Sequence, residues 1–188
     1  MVRFLIGIVI GILLVPAGMW IWLRFGNVPV AVSDPPLPME RRITGSALNE
    51  RVDREMVQTP PIQPDETNLV AGAHIYVDKC AVCHGLHGKK AEFGEIMFPG
   101  APPLWEKHHN GSVVGVSDDP PGETYWKVYN GIRLTGMPSF KSVLNETQMW
   151  QVSLLLANAD KPLPPEAVQT LRGSEPVSAA SPAAPAKK

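Results

Sequence analysis

The sequence predicts an all-α fold: a small domain of three or more helices and long loops around one bound prosthetic group, preceded by a transmembrane helix. Three observations predict it. Residues 4–23 are an uninterrupted uncharged apolar run. Between residues 66 and 172 apolar side chains recur at spacings of three and four, and little alternates at period two. The loops in that region are long for a chain-only core, which a large apolar guest would complete. The 188 residues divide as 1–25 anchor, 26–65 stalk or linker, 66–172 domain and 173–188 disordered tail.

The apolar run is bracketed by Arg3 and Arg24. As a helix rising about 1.5 Å per residue it spans about 30 Å, the depth of bilayer hydrocarbon. Pro16 is tolerable there, and Trp20 and Trp22 fall where an interfacial aromatic belt would sit. A cleaved signal is the rival reading, but its apolar region is shorter, about 7–15 residues. The only nearby small-x-small site, Ala31-Val32-Ser33, comes late, so an uncleaved anchor is expected.

The 20 prolines are more than a compact fold of this length uses. Pro29, Pro35, Pro36, Pro38, Pro60, Pro61 and Pro64 punctuate a semi-extended stalk, with a mixed-charge stretch at 39–58 able to form a short helix. In the domain, Leu69, Ala73, Tyr76 and Cys80 mark one face of a first helix. A second is expected over 123–130, with Trp126 and Tyr129 apolar and Gly131 as its stop. Asn145 and Gln148 have capping-box spacing and open a third, whose buried face is Met149, Val152, Leu155, Leu156 and Ala159, ending before Pro162. Beyond Gly173 the chain is Ser, Ala, Pro and Lys, without apolar period.

Cys80-Ala81-Val82-Cys83-His84 carries the chemistry. Two thiols three positions apart on one helical turn can each add across a vinyl group of one porphyrin. The following imidazole then lies under the iron. A closed zinc site needs four ligands, usually from a second paired motif. The chain has 2 cysteines, both in this motif, and His108 and His109 are adjacent rather than spaced as a ligand pair. A thioredoxin-like dithiol would sit in a βαβ pattern, which the flanks lack. One covalently bound haem c is therefore expected, with His84 on the iron.

A thioether as second ligand raises the reduction potential of such a centre. Beyond the motif the candidates are Met97, Met137, Met149, His74, His87, His108 and His109. Met149 reads as core filler, His87 follows the motif too closely, and His74 lies on the first helix. Met97 is within reach, but no turn chemistry presents it. Met137 stands between Gly136, which frees the backbone, and Pro138, which fixes it. Met137 is the expected ligand.

With those residues in place the chain resembles a class I c-type cytochrome, monohaem and membrane-anchored, over roughly residues 68–161. The resemblance rests on Gly72 and Tyr76, the motif through Gly85, and the loop Pro99-Gly100-Ala101-Pro102-Pro103-Leu104. It continues through Tyr125-Trp126, Asn130-Gly131-Ile132, Gly136-Met137-Pro138-Ser139-Phe140 and Trp150. It implies that the first and last helices cross closely at Gly72, with Tyr76 and Trp150 packed around the crossing. It also implies that the carbonyl of Pro102 or Pro103 accepts the second imidazole proton of His84, and that Pro102, Pro103, Leu104 and Phe140 line the haem. Anchor, stalk and tail are outside the family pattern.

A formal charge of −1 excludes the basic face of a nucleic-acid binder. The expected function is single-electron transport without catalysis. The redox partners would be a quinol-oxidising complex, a dehydrogenase or a terminal oxidase. Rival readings are a subunit fixed in a respiratory or dehydrogenase complex, a haem sensor or peroxidase with an open iron site, and a haem-free exported dithiol. Arg24, Arg41 and Arg42 outnumber Arg3 and by themselves would put the domain in the cytoplasm. Haem attachment of this type occurs outside the cytoplasmic membrane in the resembled family, so the motif overrules them and a periplasmic domain is expected. Asp118, Asp119, Glu92 and Glu95 read as solvated loop charges, Asn145 as a helix cap rather than a glycan acceptor, and Lys89 and Lys90 as surface charges near the motif.

Overall fold

The computed structural model describes residues 1–108 and 111–173; His109 and residues 174–188 of the expected tail lie outside them. The chain divides into two compact units, Met1–Gly45 and Ser46–Lys188. In the first, α1 (Val2–Phe25) is an unbroken helix through Pro16 with no buried residue, long and apolar enough to cross a membrane. Its apolar side chains, Phe4, Leu13, Val15 and Trp20 among them, are exposed.

The second unit is helical. α2 (Glu40–Glu55) runs into it, followed by α3 (Glu66–Lys79), α4 (Ala81–His84), α5 (Glu92–Glu95), α6 (Pro121–Asn130), α7 (Glu146–Ala157) and α8 (Pro165–Leu171). A two-residue antiparallel pair, β1 (Lys107–His108) and β2 (Val113–Val114), pins the loop between α5 and α6. α3 starts where the Asp65 carboxylate accepts the Asn68 N–H at 2.9 Å. α7 starts at a full capping box: Asn145 and Gln148 each accept the other's backbone N–H at 2.9 Å. α6 begins at Pro121, two residues before the expected start, because a proline at the first helical position loses no intrahelical bond. Gly131, at φ 68°, ends it.

The core is the crossing of α3 and α7. Leu69, Ala73 and Tyr76 meet Met149, Val152, Leu155 and Leu156, with Val128 from α6 and Ala167 and Leu171 from α8 closing the cluster. At Gly72 the backbones touch, and any Cβ there would overlap the Gln151 carbonyl. The amide of Gln151 also donates to Asn68 Oδ1 at 3.0 Å, fixing the register of the two helices. Tyr125 stacks on Trp150 with ring centroids 4.2 Å apart, attaching α6 to α7.

Several expectations are altered. α7 ends at Ala157 rather than near Pro162, because the Asn158 side chain bonds back to the Leu154 carbonyl at 2.7 Å. The buried face of α6 is Gly122, Thr124 and Val128, whereas the Trp126 indole turns outward to donate to Glu55 Oε2 at 3.0 Å. Within the segment read as a semi-extended stalk, the short helix anticipated over 39–58 is present as α2. It buries Val52 to 1 % exposure, and Gly122 packs directly on the Val57 carbonyl, so residues 46–57 are part of the domain's surface layer. α8 has no counterpart in the sequence reading.

One carboxylate is held in an unfavourable setting. Burial and then the neighbouring Glu123 raise the pKa of Asp119, with Asp118 adding to the shift and Lys127 and His108 opposing it. A group whose pKa is higher in the folded than in the unfolded chain stabilises below its unfolded value and loses that contribution as pH rises through the folded value. Asp119→Asn should therefore raise the melting temperature at pH 7 and leave it unchanged near pH 3, as read by thermal melts across that range.

Candidate functional site

The Cys80–His84 motif is a single helical turn set end-on to α3. The Cys80 N–H still bonds to the Tyr76 carbonyl at 2.8 Å, so the first thiol continues the α3 ladder. His84 N–H bonds to the Cys80 carbonyl at 3.0 Å and Gly85 N–H to Ala81 at 2.9 Å, closing the turn. Gly85, at φ 78°, then reverses the chain, and its added Cβ would strike the Lys89 carbonyl. The fully buried Tyr76 hydroxyl donates to the Gly85 carbonyl at 2.7 Å, locking that reversal to the core. The two cysteines are half-buried, and no disulfide joins them. Burial, then Cys83 and Asp78, push the Cys80 thiol up to about 12, far from the activated thiolate of a redox dithiol.

His84 is oriented by the loop that follows α5. Its Nδ1 lies 2.8 Å from the Pro102 carbonyl. A carbonyl can only accept, so Nδ1 carries the proton and Nε2 keeps its lone pair. Burial lowers the His84 pKa, and the bond to Pro102 offsets this only in part, so the ring is kept neutral. Of the two prolines named from the sequence, Pro102 is the acceptor. Leu104 is buried in the core, and Phe140 packs against that core partly exposed.

Met137 stands on a loop held from within. Its N–H bonds to Thr135 Oγ1 at 3.0 Å and its carbonyl accepts the Ile132 N–H at 3.1 Å. The loop is tied to α6 by Ser139 Oγ donating to the Tyr129 carbonyl at 2.6 Å and by Phe140 N–H to Val128 at 3.0 Å. Gly131 lets the chain fold back, since a Cβ there would lie 2.6 Å from Ser139 N. The Met137 side chain packs against the core cluster.

The other candidate ligands are used elsewhere. Met149 is 1 % exposed within α7. His74 and His87 are exposed, and the His108 ring bonds through Nε2 to the Gly115 carbonyl. Met97 is different. Its terminal methyl rests on Gly136, beside Met137, a contact that no local sequence pattern announced. Lys90 pairs with Glu106 at 3.3 Å on the surface.

These residues fit a covalently held porphyrin. Two unpaired thiols share one turn, the imidazole beside them presents a free Nε2, and a built loop carries a thioether. Trp105 adds an orphaned donor. Its ring sits edge-on to Tyr76, with centroids 5.5 Å apart. Among the described residues Trp105 Nε1 is the buried side-chain polar atom without a partner, which a carboxylate-bearing guest would satisfy.

Residues 67–154 match the family model described as Cytochrome C oxidase, cbb3-type, subunit III. Among solved structures, a chain of the Kuenenia stuttgartiensis reducing HAO-like protein complex is 23 % identical with a TM-score of 0.41, over 54 % of this chain. The match spans 47 % of that chain, about half its length. No curated protein matches.

Proposed function

We propose, on the premise that residues 67–154 form a c-type cytochrome domain that binds haem c and transfers electrons, that this chain is a membrane-anchored monohaem carrier of single electrons. In this reading Cys80 and Cys83 hold one haem through thioether links, and His84 Nε2 and the Met137 sulfur bind the iron. Bound haem supplies a one-electron ferric–ferrous couple. The chain's own residues do the rest. Pro102 fixes the His84 ring and strengthens it as a donor. The bonded loop around Met137 presents its sulfur without rearrangement, which keeps the reorganisation accompanying electron transfer small. Leu104, Phe140 and the core cluster exclude water. α1 tethers the domain to the cytoplasmic membrane with a single pass, and the domain works on the periplasmic face, where this kind of haem is attached. The observation that carries the reading is the His84 Nδ1–Pro102 carbonyl bond, which leaves Nε2 free on the same turn as two thiols.

A second reading places the domain permanently in a respiratory complex, favoured by the subunit named in the matching family model. Extraction of membranes in mild detergent followed by size exclusion separates the two. A free carrier elutes alone, whereas a fixed subunit elutes with other membrane proteins in constant ratio. Rapid carbon monoxide binding by the reduced wild type would instead support a sensor or peroxidase with an open iron position.

A further inference from the structure

Residues 94–102 form a strap whose two ends rest on the haem-attachment turn. At one end Gly94 lies so close to the Cys83 carbonyl that no side chain fits between them. At the other the Pro102 carbonyl takes the His84 proton. The strap is closed on itself by Ala101 N–H bonding to the Gly94 carbonyl at 3.0 Å. Met97 is near its middle, and its methyl tip reaches across to Gly136; a Cβ on Gly136 would fall on the Met97 methyl and 3.3 Å from its sulfur. The bonds of the Met137 loop described above run within the loop and to α6. None of these ties it to the strap.

We propose that Met97 is a positioning residue, a latch through which the strap carrying the Cys83 and His84 contacts presses on Gly136 and so keeps the Met137 thioether in place. A long unbranched thioether suits this role: it fills an irregular gap and follows small movements of the loop. Gly136 is bare so that the tip can lie directly on its backbone. Removing the latch would leave the Met137 loop to its internal bonds, its bonds to α6 and the packing of Met137 on the core, and its opening would become more frequent. The inference rests on Met137 being the second ligand, as proposed above.

The test uses full-length holoprotein in detergent and follows two signals: the thioether-to-iron charge-transfer band of the ferric protein, and the rate at which added imidazole displaces that ligand. Met97→Ala should keep the band at rest but bind imidazole on the order of tenfold faster, the scale of losing a packing contact beside a loop. Met97→Leu, which refills the space, should restore a near wild-type rate. Gly136→Ala, which displaces the Met97 tip without deleting it, should also speed binding. A wild-type imidazole rate in both Met97→Ala and Gly136→Ala would overturn the latch. Retention of the band in Met137→Ala and its loss in the Met97→Ala/Met137→Ala double variant would also overturn it, by making Met97 itself the ligand. Loss of the band in Met137→Ala with no effect of Met97→Ala would sink the latch while leaving the ligand assignment standing.

Discussion

Met137→Ala will give a red, folded protein whose reduced form binds carbon monoxide rapidly, whose oxidised form lacks the thioether charge-transfer band, and whose midpoint potential is much lower. The loop that presents Met137 is held by Thr135, Ile132, Ser139 and Phe140 through contacts that do not involve its side chain, so truncation should empty one coordination position without unfolding the loop. A thioether favours ferrous over ferric iron. Each tenfold loss of that preference lowers a one-electron potential by about 59 mV, so a fall on the order of a hundred millivolts or more is expected. Potentiometric titration and carbon monoxide rebinding measure both consequences. An unchanged potential with no carbon monoxide binding would mean that another side chain holds the iron.

Gly72→Val will cost the domain its helix crossing. The atom that a new Cβ would meet is the backbone carbonyl of Gln151, which cannot swing aside as a side-chain tip can. Leu155 Cβ lies 3.1 Å away on the same face, so the two helices must separate. Overpacking of a core costs about 1–3 kcal/mol and more where backbone is the obstacle, so about 3 kcal/mol or more is expected here. At about 4–8 °C per kcal/mol for a domain of this size, the melting temperature should drop by more than 10 °C. Haem content should fall with it, because α3 runs directly into Cys80. A variant that melts with the wild type would show that α3 and α7 do not meet at this glycine in solution.

Much of this architecture was legible in the sequence because its signals are local. The capping box at Asn145, the stop at Gly131, the spacing of Leu69, Ala73 and Tyr76, and the C-x-x-C-H string each depend on residues within one or two turns. What was missed depends on distant partners. α8 is only seven residues, too short for a periodic pattern, and Ala167 and Leu171 become meaningful only once α3 is beside them. α2 is polar along most of its length, and only Val52 and Glu55 reveal that its end packs on the domain, through a tryptophan 71 positions away. At the site, the choice between Pro102 and Pro103 needed the path of the loop, since adjacent carbonyls point in different directions. No turn chemistry around Met97 marks it in the sequence, and its contact with Gly136 arises from the strap's attachment to the motif rather than from any residue next to it.

The most direct test of the account is whether iron porphyrin stays with the polypeptide after denaturation. The chain should be made in a host that matures such proteins, and its membrane fraction run on a denaturing gel and stained for haem peroxidase activity. A stained band at the mass of the full chain, lost in the Cys80→Ala/Cys83→Ala double variant, is the predicted result. An unstained band from protein that is folded and in the membrane would contradict it.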